Sequence, residues 1–185
     1  MLVVAVTGMP GSGKSFVAQV LARELKYPII VMGDIVREET IRRGLELTSI
    51  NIEMVARELR ILRGPSAIAD IVVEKAEKLE SNGLIVDGVR SLDEIKSLSR
   101  LGRICIVAVH SPQILRYRRI IERARRGDTM SIEEFKLRDY SNLELGVGNV
   151  IALANYMIVN TSTLEHLEEE AIRVAGEIRD GKYCS

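Results

Sequence analysis

Val6–Ser15, "VTGMPGSGKS", is the stretch on which the fold turns. Its last eight residues fill the pattern G-x-x-x-x-G-K-[ST], with Gly8, Gly13, Lys14 and Ser15 at the fixed positions. Before it, Leu2–Val6 is an apolar run rich in β-branched residues, the pattern of a buried strand. After it, Val17, Val20, Leu21 and Leu25 recur at helical spacing. A glycine loop between strand and helix can bind phosphate. Glycine lets the backbone turn so that several N–H groups converge on one concavity. The helix N-terminus adds unpaired donors and a partial positive charge. Gly8, Met9, Pro10, Gly11, Ser12, Gly13, Lys14 and Ser15 are therefore expected to cradle the phosphates of a nucleotide. Lys14 would reach the β- and γ-phosphates, and the Ser15 hydroxyl would ligate Mg2+.

Outward from this loop, apolar runs alternate with helical periodicity to the end of the chain. Expected strands are Leu2–Val6, Pro28–Met32, Leu84–Asp87, Ile104–Val109 and Tyr156–Val159. Helical stretches are expected around Ser15–Lys26, Asp34–Arg43, Ile50–Leu62, Ser66–Glu80, Leu92–Leu98, Pro112–Arg126 and Ile132–Ala154. A last helix would carry Leu164, Leu167, Ala171, Val174 and Ile178 on one face. The order predicts a three-layer α/β fold, with a five-stranded parallel sheet and helices on both faces. Two segments exceed simple crossovers. Residues 44–65 are expected to be a helical arm that binds an acceptor, and residues 125–138 a short lid.

Composition narrows the class. The 185 residues suit a single domain with a sizeable core. Lys plus Arg and Asp plus Glu total 26 each, so no net charge points to nucleic acid or membrane as a general partner. Six arginines do crowd between Arg116 and Arg126. That helix has one aromatic, Tyr117, and no stacking platform, so an RNA partner is possible but not favoured. No signal peptide or membrane-spanning run is expected, because the opening apolar stretch is short and leads straight into the loop. Cys105 and Cys184 give neither metal spacing nor a disulfide framework, which fits a reducing cytoplasm. His110 and His166 have no partner pattern and read as structural or surface residues.

Two further constellations carry chemistry. The run "LIVDGVR" ends a strand in Asp87, at the sheet edge where open α/β folds bind ligands. A carboxylate there can hold Mg2+ together with Ser15. Arg90, three residues on, is a candidate for a second phosphate. The run "VMGDIVREE" places Asp34 either as a helix N-cap or as a carboxylate facing an acceptor. Arg37, one turn later, can grip an acceptor phosphate bidentately.

Taken together, the loop, "GDIVRE" and "DGVR" resemble the P-loop nucleoside monophosphate kinases, adenylate kinase above all. The resemblance implies that Arg37 and Arg90 hold the acceptor's phosphate, although this chain is one residue shorter than the usual Asp-Gly-x-Pro-Arg. "SPQILRYRRIIERARR" is similar to that family's lid-entry helix, which implies lid roles for Arg119 and Arg123, and "RDY" implies a returning lid arginine at Arg138. The stretch "LANYMIVNTSTLEHLEEE" resembles dephospho-CoA kinases instead. It implicates Asn160, Thr161 and Ser162 beside the adenine of ATP, and Asp34 as the group acting on an acceptor hydroxyl. Ser162 with Glu165 also reads as a capping box. The combination resembles an archaeal family described as adenylate kinase-related.

The expected protein is a phosphotransferase that moves the γ-phosphoryl of Mg-ATP to a phosphate-bearing acceptor. AMP or a related adenine nucleotide is favoured, with dephospho-CoA next. Lys14, Arg119, Arg123 and Arg138 would neutralise charge in transfer. A regulatory ATPase acting on RNA or a protein partner is the alternative.

Overall fold

Residues of the first strand, β1 (Leu2–Thr7), alternate between two cores. Val3 and Ala5 face one side of the sheet and Val4 and Val6 the other, and all four are fully buried. A strand apolar on both faces needs helices above and below, which explains the unbroken run in the sequence. The computed structural model describes residues 1–124 and 131–184, without the side chains of residues 123 and 124.

After β1 come α1 (Lys14–Leu25), β2 (Ile29–Val31), α2 (Met32–Arg42), α3 (Ser49–Arg63), α4 (Ala67–Ala76), β3 (Gly83–Val89) and α5 (Leu92–Leu98). The chain continues through β4 (Arg103–His110), α6 (Gln113–Ala124), α7 (Ile132–Glu144), α8 (Val147–Ala152), β5 (Tyr156–Val159) and α9 (Leu164–Arg179). All strand pairs are parallel, in the order β2-β3-β1-β4-β5. One core packs β1 and β3 against α2 to α5, and the other packs β1 and β4 against α1 and α9. The expected three-layer α/β fold is the fold observed. The phosphate loop leaves the central strand at the carboxyl edge of the sheet, where ligands bind in such folds.

Local chemistry moved several expected boundaries. Helix α2 begins at Met32 with Val31 as its N-cap, so Asp34 lies inside the first turn and is not the cap. The long helix expected over Ile132–Ala154 is two helices, divided where Gly146 adopts φ 99°. Its start is set by a capping box, Ser131 with Glu134, so residues 132–138 of the expected lid form the first turns of α7. Residues 125–130 of the expected lid lie outside the described residues. The last helix is capped by Thr163, which accepts from the His166 amide, in place of the Ser162–Glu165 box.

The cysteine expectation is corrected as well. Cys105 and Cys184, 79 residues apart, are joined in a disulfide that pins the C-terminus to β4. The fold brings together two residues whose spacing carried no signal. Among the described residues, no helix is long and apolar enough to cross a membrane.

Candidate active site

The loop after β1 packs tightly against its surroundings. Gly13 has φ 98°, and a Cβ there would stand 2.6 Å from Asn160 Nδ2. That amide nitrogen donates to the Ser12 carbonyl at 2.8 Å. Gly11 has φ 80°, and its Cβ would meet the Arg116 carbonyl at 2.9 Å. Glycine is required here by both conformation and space.

From the loop opens a cleft of about 1330 Å³, lined by residues of the loop, α1, α2, α3, α7 and the end of β3. Lys14, Ser15 and Asp87 line it near the loop, and Arg37, Arg90 and Arg138 also contribute to its walls. These six expected residues thus share one cavity, whose lining does not include Asp34, Arg119 or residues 160–162. The arm over residues 44–65 supplies an apolar wall through α3, with Ile50, Met54 and Ile61 exposed along it.

A backbone irregularity aims the end of β3. The register with β1 slips between Val6 and Thr7, where Gly88 adopts φ 98°. Thr7 Oγ1 donates to the Val89 carbonyl across the slip at 2.7 Å. The bulge re-aims the strand end so that Asp87 and Arg90 both line the cleft. Asp87 is 2% exposed, and among the described residues its Oδ1 has no hydrogen-bond partner. Ser12 Oγ is likewise buried without a partner. An unpaired buried polar atom costs about 1–3 kcal/mol, so both atoms mark places where a ligand gains most. Mg2+ fits this donor set. It is a hard cation that keeps several waters and takes one or two protein oxygens beside substrate phosphates, and Ser15 and Asp87 offer such oxygens.

The remaining expected residues fall as follows. Arg37 Nη1 donates to Asp34 Oδ1, an exposed pair on one face of α2. Asp34 is therefore held by its neighbour one turn on, at the end of β2. Arg90 lies between positive neighbours: burial first, then Arg60 and Arg138, pushes its guanidinium below the ordinary arginine value. Among the described residues no carboxylate is within ion-pairing distance of that guanidinium. Arg119 donates to Ser111 Oγ at 3.0 Å and to the Asn160 side chain and carbonyl at 3.0 and 3.2 Å. It thus ties α6 to the end of β5, beside Asn160. Thr161 and Ser162 are exposed in the turn that follows. The Arg123 side chain lies outside the described residues.

Four participants were not singled out by sequence. Arg116 and Asp139 form a buried ion pair, with contacts of 2.7 and 2.6 Å, and Arg116 also donates to the Pro10 carbonyl at 3.0 Å. Arg60 lines the cleft and pairs with buried Glu94 at 2.9 Å. Arg116 lay in the arginine cluster, but nothing in the sequence linked it to a partner 23 residues away.

Comparison with known proteins agrees with this architecture. A family model described as AAA domain, AAA_17, matches residues 7–136. The UPF0200 protein of Aeropyrum pernix is 51% identical over 175 residues, covering 94% of this chain and 92% of the relative. UPF0200 protein TK1334 of Thermococcus kodakarensis is 43% identical over 182 residues, covering 96% and 98%. Among solved structures, TT1252 from Thermus thermophilus superposes with a TM-score of 0.62 at 22% identity, covering 96% of this chain and 97% of its own. Shikimate kinase from Acinetobacter baumannii gives 0.60 at 16%, covering 98% and 94%, and a gluconokinase from Sinorhizobium meliloti gives 0.57 at 18%, covering 97% and 94%. At these identities the structural matches speak for the fold alone. The extent of the sequence matches places the chain in the UPF0200 family, on the P-loop fold that small-molecule kinases share.

Proposed function

We propose that the protein is a small-molecule kinase that transfers the γ-phosphoryl of Mg-ATP to a phosphate-bearing, nucleotide-like acceptor. AMP or a related adenine nucleotide is favoured, with dephospho-CoA next. One observation carries this reading: a single cleft is lined by the phosphate-loop residues Lys14 and Ser15, by Asp87 and by the arginines Arg37, Arg90 and Arg138. A phosphate loop and further arginines lining one cavity suit transfer between two phosphorylated molecules. The kinases among the structural neighbours share this fold.

In this reading, the backbone of Gly8 to Gly13 and the Lys14 ammonium hold the triphosphate. Ser15 and Asp87 would hold Mg2+, which when bound spreads and neutralises charge on the phosphates. Asn160, Thr161 and Ser162 flank the adenine, and Arg119 is oriented toward that region by Ser111 and Asn160. Arg37 and Arg90 draw in the acceptor's phosphate, while Arg138 balances charge on the transferring group. Such chemistry asks the protein mainly for position and charge compensation. A phosphate acceptor is already an ionised nucleophile. An acceptor hydroxyl gains from a base, and Asp34 at the end of β2 would serve.

The test is ADP release from Mg-ATP alone, then with AMP, CMP, UMP, dephospho-CoA or RNA, with Lys14→Ala in parallel. Stimulation by one small acceptor, with its phosphorylated product recovered, establishes the kinase. Release indifferent to small acceptors but raised by RNA replaces it with a regulatory ATPase.

A further inference from the structure

We propose that Glu94 is a positioning residue for the acceptor end of the cleft, and that Arg60, which it holds, binds the acceptor's phosphate alongside Arg90. This rests on the kinase reading above and deepens it. Glu94 is fully buried in the first turn of α5, where its amide donates to the N-cap Ser91 at 3.2 Å. Each of its carboxylate oxygens serves a different wall of the cleft. Oε1 accepts from Arg60 Nη2, on α3, at 2.9 Å. Oε2 accepts from the backbone N–H of Arg90, just past β3, at 2.7 Å. One buried carboxylate therefore fixes both the α3 wall and the segment that carries Arg90.

Stability alone does not call for this arrangement. Burying a charge pair costs as much in lost hydration as it returns, and apolar replacements are often neutral. What the pair supplies is position. Arg60 is 12% exposed, lines the cleft, and spends one donor on Glu94 and one on the Ala56 carbonyl at 3.3 Å. A guanidinium has five donors, so others remain for a ligand.

The local charge balance favours an anion. Arg60, Arg90 and Arg138 lie close enough for their positive charges to work against one another at Arg90. The carboxylates facing Arg90 are Glu94 and Glu53. Glu94 is already paired, and Glu53 lies at the cleft wall where its Oε1 accepts from Ser141 at 2.8 Å. Along the cleft as a whole, Lys14, Arg37, Arg57, Arg60, Arg90 and Arg138 face Glu53, Asp87 and Glu144, and that excess of positive charge suits a phosphomonoester better than a neutral sugar or alcohol. Sequence did not single out Arg60, because its partner Glu94 is 34 residues away.

The experiment is calorimetric titration of AMP, adenosine and inorganic phosphate into protein saturated with Mg2+ and a non-hydrolysable ATP analogue, which fills the phosphate loop. Wild type is expected to prefer AMP over adenosine by about a hundredfold. Arg60→Ala should cut that preference at least about tenfold, Glu94→Gln about fivefold, and Arg60→Lys should fall between Arg60→Ala and wild type. Adenosine affinity should stay constant across all of them. If the variants melt earlier yet keep the wild-type AMP-to-adenosine ratio, the pair is only structural and the proposal is overturned. If wild type itself shows no preference for AMP and takes up no inorganic phosphate, the phosphate-acceptor reading fails, and this proposal with it.

Discussion

Arg116 and Asp139 meet as a two-pronged buried ion pair, and through Arg116 the pair reaches the phosphate loop. Both residues are 4% exposed, and the guanidinium also lies over the Phe135 ring, 5.3 Å from its centre. Its further bonds go to the carbonyls of Ser111 and Pro10. Helix α7, which carries Arg138 to the cleft, is thereby fastened to the loop expected to hold ATP. Placement of Arg138 is tied in this way to the conformation of the loop.

Breaking that pair should be costly. Removing one partner strands a buried charge, so Asp139→Ala should lose about 3–5 kcal/mol in denaturant titration. The exposed pair Arg63–Glu74, at 3.7 Å, is the control. Glu74→Ala should change stability by less than about 1 kcal/mol. Equal losses at both sites would show that the buried pair carries no special weight.

Asp87 should behave in the opposite way. Among the described residues its buried Oδ1 has no hydrogen-bond partner, so the burial of that oxygen weighs against the fold. Asp87→Asn replaces a charge with a neutral group of the same shape, and the melting temperature should hold or rise. The Mg2+ concentration giving half-maximal phosphoryl transfer should rise at least about tenfold. A variant that melts earlier with unchanged Mg2+ dependence would remove Asp87 from the metal's ligands.

These two sites also show what a sequence makes legible. The place of Asp87 in the cleft wall is legible because its signal is local: an apolar run ends in a carboxylate near the end of a strand. The loop from Gly8 to Ser15 is legible for the same reason, as strand, turn and helix signals are contiguous. Arg116–Asp139, Arg60–Glu94 and Cys105–Cys184 are partnerships between distant positions that only the folded chain defines. The break at Gly146 was missed because apolar periodicity runs on through it. Asp34 reads as a cap in the sequence because the apolar Met32 and the Gly33 that open α2 carry no helix signal of their own.

The disulfide should be a measurable staple. It joins the buried residues Cys105 and Cys184 across 79 residues of chain. On the chain-entropy view, closing a loop of that size removes about 4 kcal/mol of freedom from the unfolded state. Cys184→Ser should therefore lower the melting temperature by up to about 10 °C in calorimetry. Reductant should lower wild type to the same point and leave the variant unmoved. Wild type that melts identically with and without reductant would mean that the bridge does not form in solution. Neither cysteine lines the cleft, so ATP affinity below the transition should not change.

Acid should find one specific weak point, at the arm that carries the apolar cleft wall. Glu39 accepts hydrogen bonds from Arg42 and Arg43, and these hold its carboxyl at about 2, below its ordinary 4.5. Arg43 in turn bonds Glu58 of α3, so Glu39 orders the guanidinium that joins α2 to α3. Because the folded-state value is depressed, the folded state binds the proton more weakly than the unfolded chain. Glu39 thus contributes stability in full above the ordinary value of 4.5, and that contribution fades as pH falls from there toward about 2. Glu39→Gln should lower stability at pH 7 and flatten the acid limb of the stability curve, bringing the two proteins together near pH 2. Urea titrations at intervals between pH 7 and 2 check this. Parallel curves that never converge would show that Glu39 stabilises the arm by packing and not through its charge.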